Sequence, residues 1–175
     1  VRVNVSKIRE LRTEKDEELL KTLDLEQEKT AKSLGEGHRI LKGVAGSGKT
    51  LVLACRVKYL KQIHADWKIL IVCYNISLRQ YLKKLIDVSG ENTSNDGVDI
   101  YHFHGLVKQL TGANLSKLQG ESDEDYDSRI GTILKGRIAE GFVKKGIYDA
   151  IFVDEGQDFA TEWMQGLSQL LNENS

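Results

Sequence analysis

Proline is absent from this 175-residue chain, cysteine occurs only twice, and the formal net charge is −1. Average usage of roughly 5% would give about nine prolines, so their absence agrees with a helix-rich structure. Cys55 and Cys73 both fall in apolar segments, which indicates buried thiols rather than a disulfide framework and favours a reducing compartment. A net charge this small supplies no global basic field, so any nucleic-acid contact must be local.

Long hydrophobic runs are missing as well. No stretch approaches the ~20 apolar residues that a membrane span needs, and residues 1–7 lack the apolar core of a signal peptide. We therefore expect a cytoplasmic protein without a membrane partner. The composition that is present, with 40% hydrophobic and 29% charged residues, is sufficient for one α/β domain with a proper core.

Residues 43–50 read Gly-Val-Ala-Gly-Ser-Gly-Lys-Thr and complete the phosphate-loop pattern G-x-x-x-x-G-K-[ST]. The glycines allow a backbone path on which successive N–H groups curl around phosphate oxygens, at the positive end of the following helix. The cradle residues are Gly43, Ala45, Gly46, Ser47 and Gly48. Lys49 can reach the β- and γ-phosphates, and the Thr50 hydroxyl is placed to coordinate Mg²⁺. A nucleoside triphosphate with Mg²⁺ is therefore the predicted ligand.

The segments on both sides fit this motif. Residues 38–42 are predicted to form a short strand that feeds the loop. Residues 51–60 are apolar on nearly every face, as is typical of a helix packed against a sheet. Upstream, residues 24–27 fit a capping box for a helix that ends near residues 35–37.

Buried strands alternate with helical patterns along the rest of the chain. A continuous apolar run, β-branched at several positions, predicts a buried strand at residues 69–74. Further strands are predicted at residues 98–103 and 150–153, the latter also buried. Apolar stripes at helical spacing predict the core faces of the intervening helices. These stripes are Leu78, Tyr81, Leu82, Leu85 and Ile86, capped by Ser77; Leu106, Val107 and Leu110; Tyr126, Ile130, Leu134 and Ile138; and Met164, Leu167, Leu170 and Leu171. The alternation predicts an α/β fold with a mostly parallel sheet and helices on both faces.

Composition also suggests the boundaries of the domain. Residues 6–22 are dense in Lys, Arg and Glu, and their apolar residues are unevenly spaced, which is typical of a connecting helix. We therefore assign residues 1–22 to a linker and residues 23–175 to the domain. Residues 112–127 end in an acidic run, which predicts a solvated loop inserted at the surface.

A second acidic site, Asp-Glu-Gly-Gln-Asp at residues 154–158, directly follows the last predicted strand. Because parallel sheets bind ligands at the carboxyl ends of their strands, Asp154 is placed to hold Mg²⁺ through its water shell. Glu155 is the candidate general base for an attacking water, which favours hydrolysis over transfer to a hydroxyl. Taken alone, these residues could equally form a polar turn with helix-capping acids. A complete phosphate loop in the same chain favours the catalytic interpretation.

Five stretches, in the right order, resemble the first motor lobe of a superfamily 1 helicase of the UvrD/Rep type. Residues 43–50 match its motif I, and residues 153–158 resemble its motif II, with Gly156 in place of the usual alanine. Gln27 resembles the glutamine of the Q motif, which implies that it reads the adenine edge of ATP. The alternative is that Gln27 only completes the capping box, and the two roles could coexist. Gln157 is implied to link the nucleotide site to the nucleic-acid track.

The other two stretches imply contacts with single-stranded DNA. Tyr74 and Asn75 resemble motif Ia, in which an aromatic residue and its neighbours touch the DNA; the alternative is that Tyr74 is only the last packed residue of its strand. Residues 102–105, His-Phe-His-Gly, resemble a Thr-Phe-His-Ser motif from which the first and last positions depart. The implied contacts there are His102, Phe103 and His104. A metal site at the His-x-His pair is disfavoured, because no other His or Cys stands nearby at ligand spacing.

The resemblance implies an enzyme: a RecA-like motor lobe of the P-loop NTPase class. It would hydrolyse ATP and move on single-stranded DNA, or RNA, together with a second lobe of the same full-length chain. The sequence at residues 35–50 and 148–163 resembles that of helicases with an upstream nuclease-related domain. The linker at residues 1–22 would then connect that domain to the motor lobe. The short interval from His104 to Asp154 puts UvrD-like strand separation in doubt. Because the transition-state arginine belongs to the second lobe, we expect this chain alone to hydrolyse ATP poorly. We also expect the chain to be monomeric.

Two other functions are compatible with a phosphate loop. A regulatory module, in which bound nucleotide only sets the conformation, would have no use for a base such as Glu155. A GTPase switch would need a D-x-x-G sequence, and residues 87–90 supply one. That sequence falls at the end of a predicted helix rather than a strand, and no guanine-reading Asn-Lys-x-Asp sequence occurs. The motor is therefore favoured over both.

Overall fold

The computed structural model describes residues 25–44, 46–86 and 97–173. The chain divides into two compact units after Tyr59. The predicted linker at residues 1–22, the start of the capping box at Asp24 and the D-x-x-G sequence at residues 87–90 lie outside the described residues.

The first unit contains helix α1 (residues 25–33), a long loop, and most of helix α2 (Lys49–Ile63). Gly35 and Gly37 follow α1 with φ angles of +66° and +81°, so the helix ends where the glycines predicted. The buried side chains of α2 come from several of its faces, as expected. They are Val52, Leu53, Ala54, Val57 and Leu60.

The prediction of a strand at residues 38–42 is wrong. These residues are exposed and belong to no strand, and the Ile40 side chain is 84% exposed. An apolar segment becomes a strand only when a neighbouring strand takes its backbone hydrogen bonds. The described residues of the first unit contain no strand that could take the backbone hydrogen bonds of residues 38–42.

The second unit is built on three parallel strands in the order β2-β1-β3. Its elements are β1 (Ile69–Cys73), α3 (Ile76–Ile86), β2 (Val98–His102), α4 (Phe103–Thr111), α5 (Asp123–Ala139), β3 (Ala150–Asp154), a 3-10 turn (Gly156–Asp158) and α6 (Thr161–Leu170). The predicted α/β class with a parallel sheet and flanking helices is thereby confirmed.

The central strand β1 organises this unit. All five of its residues are buried at 0% exposure, and since alternate side chains point to opposite faces, both faces of β1 are covered. Leu70 and Val72 join the main core with residues of α4, α5 and α6. These are Phe103, Leu106, Val107, Ile130, Leu134, Ile138, Trp163, Leu167 and Leu170.

Two details of the helices differ from the sequence prediction. Asn75, rather than Ser77, caps α3: its Oδ1 accepts a hydrogen bond from the Ser77 N–H at 2.9 Å, and its carbonyl accepts from the Arg79 N–H at 3.3 Å. Tyr81 and Met164 are 51% and 43% exposed, so neither belongs to the core. The expected Leu82, Leu167 and Leu170 are buried, whereas Leu78, Leu85 and Ile86 of α3 are only half-buried. In α6 the buried stripe also includes Trp163 and Gly166.

The acidic run at residues 121–127 is mostly helical, so the predicted loop is wrong from Asp123 onward. Ser122 caps α5, with its Oγ accepting a hydrogen bond from the Asp125 N–H at 3.0 Å. Carboxylates in a first helical turn are stabilised by the positive end of the helix dipole. Residues 112–122 contain no helix or strand, and α5 buries Ile130, Leu134 and Ile138 as its spacing predicted.

Helices α5 and α6 approach closely because both carry a glycine at their contact. A Cβ on Gly131 would lie 2.6 Å from Glu162 Cβ and 2.9 Å from the Glu162 carbonyl carbon. A Cβ on Gly166 would lie 2.9 Å from Leu134 Cδ2. The Trp163 indole N–H also donates to the Asp127 carbonyl of α5 at 2.7 Å.

Gly131→Ala is therefore expected to destabilise the chain by about 1–3 kcal/mol, although alanine is the better helix former, because the new methyl group meets backbone atoms. Gly136→Ala, in the same helix, is the matched control, because a Cβ at Gly136 meets nothing within 4 Å. It should stabilise by roughly 0.5–1 kcal/mol. Urea unfolding of both variants measures the difference, and equal effects would contradict the close helix contact.

Candidate functional site

The phosphate loop in the first unit has the backbone geometry that its glycines predicted. Gly46 and Gly48 adopt φ angles of +79° and +80°, a region that favours glycine. The Lys49 ammonium group donates to the carbonyls of Gly43 and Val44, each at 3.0 Å. The loop thus closes on its own lysine at the positive N-terminal end of α2, a place suited to an anion. Ala45 lies outside the described residues.

Gln27 lies against this loop. A Cβ on Gly48 would overlap the side-chain amide of Gln27, so the glycine is required for this close approach. The Gln27 Oε1 atom is buried and has no hydrogen-bond partner. An unpaired buried acceptor is energetically unfavourable and calls for a donor from elsewhere. The donor and acceptor of a glutamine amide match the N7 acceptor and N6 donor of adenine. That Gln27 reads adenine stays a prediction.

The acidic pair lies at the carboxyl end of β3, in the second unit. Asp154 is the last residue of the strand and is 4% exposed, and its Oδ1 accepts from the Glu155 N–H at 3.1 Å. Glu155 has φ 56° and ψ 42°, the left-handed conformation that non-glycine residues rarely adopt. The Gln157 amide donates to Glu155 Oε2 at 2.6 Å.

The alternative of a turn with helix-capping acids gains no support from this geometry. Glu155 and Ala160 occupy the N-cap positions of the 3-10 turn and of α6, and neither side chain makes a capping hydrogen bond. The structure does not require glycine at Gly156, the position that departs from the motif. A Cβ there would make an ordinary 3.6 Å contact with Val153, so alanine would fit without strain.

The Cys73 thiol lies beside this pair. Cys73 is opposite Asp154 in the strand register, and its Sγ donates weakly to the Asn75 and Tyr101 carbonyls at 3.4 and 3.5 Å. Burial, and then the negative charge of Asp154, raise the pKa of Cys73 to about 11. The thiol is therefore protonated near neutral pH and is not a nucleophile. Neither cysteine forms a disulfide, as expected, although Cys55 is only half-buried.

An aromatic cluster lies at the same edge of the sheet. Its members are Tyr74, Phe103, His104, Tyr126, Phe159 and Trp163. Phe103 and Trp163 stack at 4.2 Å between ring centroids, and each is 1% exposed. Tyr74 lies over Trp163 at 6.2 Å and is 49% exposed. Tyr74 is therefore both packed and accessible, whereas Phe103 serves as buried support.

Sequence reasoning missed Phe159 and Trp163. Both rings contact Tyr74, with centroid distances of 6.4 and 6.2 Å. The available signal was their spacing: two aromatic residues four positions apart, directly after the acidic motif. Residues four apart share a helix face only where a helix joins them, and here Phe159 precedes α6. The contact is recognisable only in the folded chain, where the end of β1 lies beside the start of α6.

His104 packs in the cluster and is half-buried. Its ring stacks on Tyr126 at 5.2 Å and meets Trp163 edge-on, also at 5.2 Å. Its Nε2 lies 3.4 Å from Asp127 Oδ1, an ion-pair distance too long for a good hydrogen bond. Burial lowers the pKa of His104, and Asp127 only partly opposes that shift. The imidazole is therefore neutral at pH 7.

The two departures from the Thr-Phe-His-Ser motif are physically connected. His102 precedes α4 at its N-cap, and a Cβ on Gly105 would lie 2.7 Å from His102 Cε1. The imidazole thus occupies the space that a side chain at Gly105 would need. His102 Nδ1 is buried without a partner, and burial, followed by the charges of His104 and Arg79, lowers the pKa of this residue. No group of three metal-ligating side chains occurs in the described parts of the chain.

Strand register brings the site residues of the second unit to one edge. Cys73 stands opposite both His102 and Asp154, so the three strands end at the same level. Tyr74, Asn75 and Glu155 follow directly. The candidates Gln27, Lys49 and Thr50 belong to the first unit. That Lys49 and the acidic pair act on one triphosphate stays a prediction.

A parallel α/β sheet and a glycine-rich phosphate loop define a P-loop NTPase. A family model described as an AAA domain matches residues 26–175, and the chain belongs to this AAA domain family, which is of the P-loop helicase type. Domains of this class bind nucleotide with Mg²⁺ and hydrolyse it. Comparisons with curated proteins and with solved structures gave no match. No described helix is long and apolar enough to cross a membrane.

Gly105→Ser alone is expected to destabilise by about 1–3 kcal/mol, because the new side chain meets the His102 ring. His102→Thr removes that ring and supplies a side-chain cap for α4, so it should be close to neutral or stabilising. The double variant should therefore recover most of the loss, with a coupling of about 1 kcal/mol or more. Denaturant unfolding of the four proteins gives this cycle, and strictly additive effects would show that the two departures are independent.

Proposed function

We propose that this chain is the ATP-binding motor lobe of a UvrD-like helicase or translocase, which couples ATP hydrolysis to movement on single-stranded nucleic acid together with a second RecA-like lobe. The observation that carries the proposal is the 2.6 Å hydrogen bond from Gln157 to Glu155. It joins the proposed base to a glutamine at the edge where the half-exposed Tyr74 lies. Family membership supports the P-loop part of the proposal.

The phosphate loop supplies the nucleotide contacts. The Lys49 ammonium group would exchange the carbonyls of Gly43 and Val44 for phosphate oxygens. Gln27 would use its buried Oε1 to accept from the adenine amino group. Thr50 and Asp154 would hold Mg²⁺, since hydroxyl and carboxylate oxygens are the ligands this ion prefers. When bound, Mg²⁺ neutralises charge that develops on the transferred phosphoryl group.

Hydrolysis is assigned to the acidic pair. Glu155 would accept a proton from a water as that water's oxygen attacks the γ-phosphorus, and ADP would leave. Gln157 donates to Oε2, so the other carboxylate oxygen, Oε1, is the atom proposed to receive the proton. The hydrogen bond holds the carboxylate in one orientation, which is what a general base requires.

Tyr74 and Asn75 are proposed to contact the nucleic acid. The exposed part of the Tyr74 ring offers a face on which a base can stack, and Trp163 and Phe159 hold the ring from behind. Asn75 already uses Oδ1 to cap α3. Its amide nitrogen is the group proposed to donate to a phosphate. The contact would be local and aromatic, in agreement with a net charge of only −1.

Glu155→Gln is expected to keep ATP binding and to lower hydrolysis by about 10²–10⁴-fold, because the amide cannot accept the water proton. Lys49→Ala, as a control, should lose ATP binding itself. A fluorescent ATP analogue measures binding, and phosphate release over hours measures turnover. Undiminished hydrolysis by Glu155→Gln would remove the base from the mechanism. Tight ATP binding by the wild-type chain without any hydrolysis would favour the regulatory module.

Tyr74→Ala should weaken binding of a fluorescent single-stranded oligonucleotide by roughly 5–150-fold, the equivalent of losing about 1–3 kcal/mol of stacking. Tyr81→Ala is the matched control, because the two tyrosines are 49% and 51% exposed but only Tyr74 lies at the carboxyl edge of the sheet. Equal losses in both variants would contradict a specific stacking site. The same titrations with an RNA oligonucleotide compare the two nucleic acids.

A further inference from the structure

Arg56 is a buried cation in the first unit, 8% exposed. Its Nη1 donates to the Ala31 carbonyl at 3.1 Å, and its Nη2 donates to the Gly35 carbonyl at 2.5 Å. The guanidinium also lies over the Tyr59 ring, 5.4 Å from its centroid. No carboxylate among the described residues pairs with it. The charge is therefore balanced by backbone carbonyls and an aromatic face.

These carbonyls lie at the C-terminal end of α1, where the last carbonyl groups of a helix lack partners and the helix dipole is negative. A buried guanidinium is tolerated only if it is hydrogen-bonded, and here the end of α1 accepts from both of its terminal nitrogens. The bonds join α2, the helix that begins at the phosphate loop, to α1. Arg56 thus links α2 to α1 by hydrogen bonds and is not a surface charge.

Gln27 and Ala31 stand four residues apart in α1, and so share one face of that helix. Gln27 meets Gly48, the residue just before α2, and Ala31 meets Arg56 about two turns further along α2. The face of α1 that carries Gln27 is therefore fixed to α2 at two points. The contact of Arg56 is made of hydrogen bonds, whereas the Gln27 Oε1 atom accepts none from the part of the chain that the structure describes.

We propose that Arg56 is a positioning residue that sets the base selectivity of the nucleotide site by holding Gln27 in place. This inference rests on the proposed function, specifically on ATP binding at the phosphate loop. Adenine offers a donor and an acceptor on the edge that the amide would read, whereas guanine offers two acceptors there. Discrimination between them requires a fixed amide, and the affinity of the loop for phosphate does not.

The test compares Arg56→Met with three ligands: ATP, GTP and inorganic tripolyphosphate, each competing with a fluorescent nucleotide. Arg56→Met should lower the ATP-to-GTP affinity ratio by roughly 5–150-fold, to the ratio of Gln27→Ala, while tripolyphosphate affinity stays within about twofold. The double variant Gln27→Ala/Arg56→Met should show no further loss of selectivity. A purely structural role would weaken tripolyphosphate binding as well.

Arg39→Met is the matched control. Arg39 also donates hydrogen bonds to backbone carbonyls, those of Leu34 and His38, but unlike Arg56 it is exposed. This variant should leave all three affinities unchanged. Arg56→Lys, which keeps the charge with fewer donors, should give an intermediate ratio and decides the matter if the methionine variant does not fold. An unchanged ATP-to-GTP ratio in the folded Arg56 variants, or a parallel loss of tripolyphosphate binding, would overturn the inference. A wild-type chain that binds no tripolyphosphate would instead overturn the proposed function.

Discussion

The common level at which three parallel strands end is the constraint on which the second unit depends. Pairing of β1 with both neighbours places Cys73 opposite His102 on one side and Asp154 on the other. Because β1 is buried along its whole length, its chain first becomes exposed after the strand ends, at Tyr74. Tyr74 and Glu155 share one edge for this reason: the hydrogen-bond ladder fixes both end points.

Strands β1 and β3 were predictable because a continuous apolar run between turn signals has few other ways to be buried. The position of Asp154 at a strand tip followed from the same run. Residues 38–42 have apolar side chains only at Ile40 and Leu41, and they form no strand. A strand also needs a neighbour that the local sequence does not encode. The cap of α3 was misplaced by two residues for a comparable reason. Asn75 and Ser77 are both good caps, and the choice depends on where the backbone first turns helical.

The candidate site likewise contains features that could be predicted from the sequence and features that could not. The backbone conformation of the phosphate loop and the place of the acidic pair at a strand end were predictable from residue order, because glycines and a buried apolar run specify them. Gln27 was singled out only by resemblance to the Q motif, and its role stays a prediction. The support of Tyr74 by Trp163 was not predictable, since α6 meets β1 only in the folded chain. Nor could the sequence show that His102 and Gly105 compensate one another. Each looked like a separate weakening of the motif, and only the position of the imidazole over the glycine makes them a single change.

Glu155 shows how local strain can serve the proposed chemistry. A left-handed conformation costs a residue with a Cβ on the order of 1–2 kcal/mol. Hydrogen bonds offset this: the Glu155 N–H donates to Asp154, its carbonyl accepts from the Asp158 N–H at 3.0 Å, and its carboxylate accepts from Gln157. A carboxylate held this way cannot reorient without releasing Gln157. On the proposed function, the strained backbone and these hydrogen bonds together would keep the base in one orientation at the edge where Tyr74 lies.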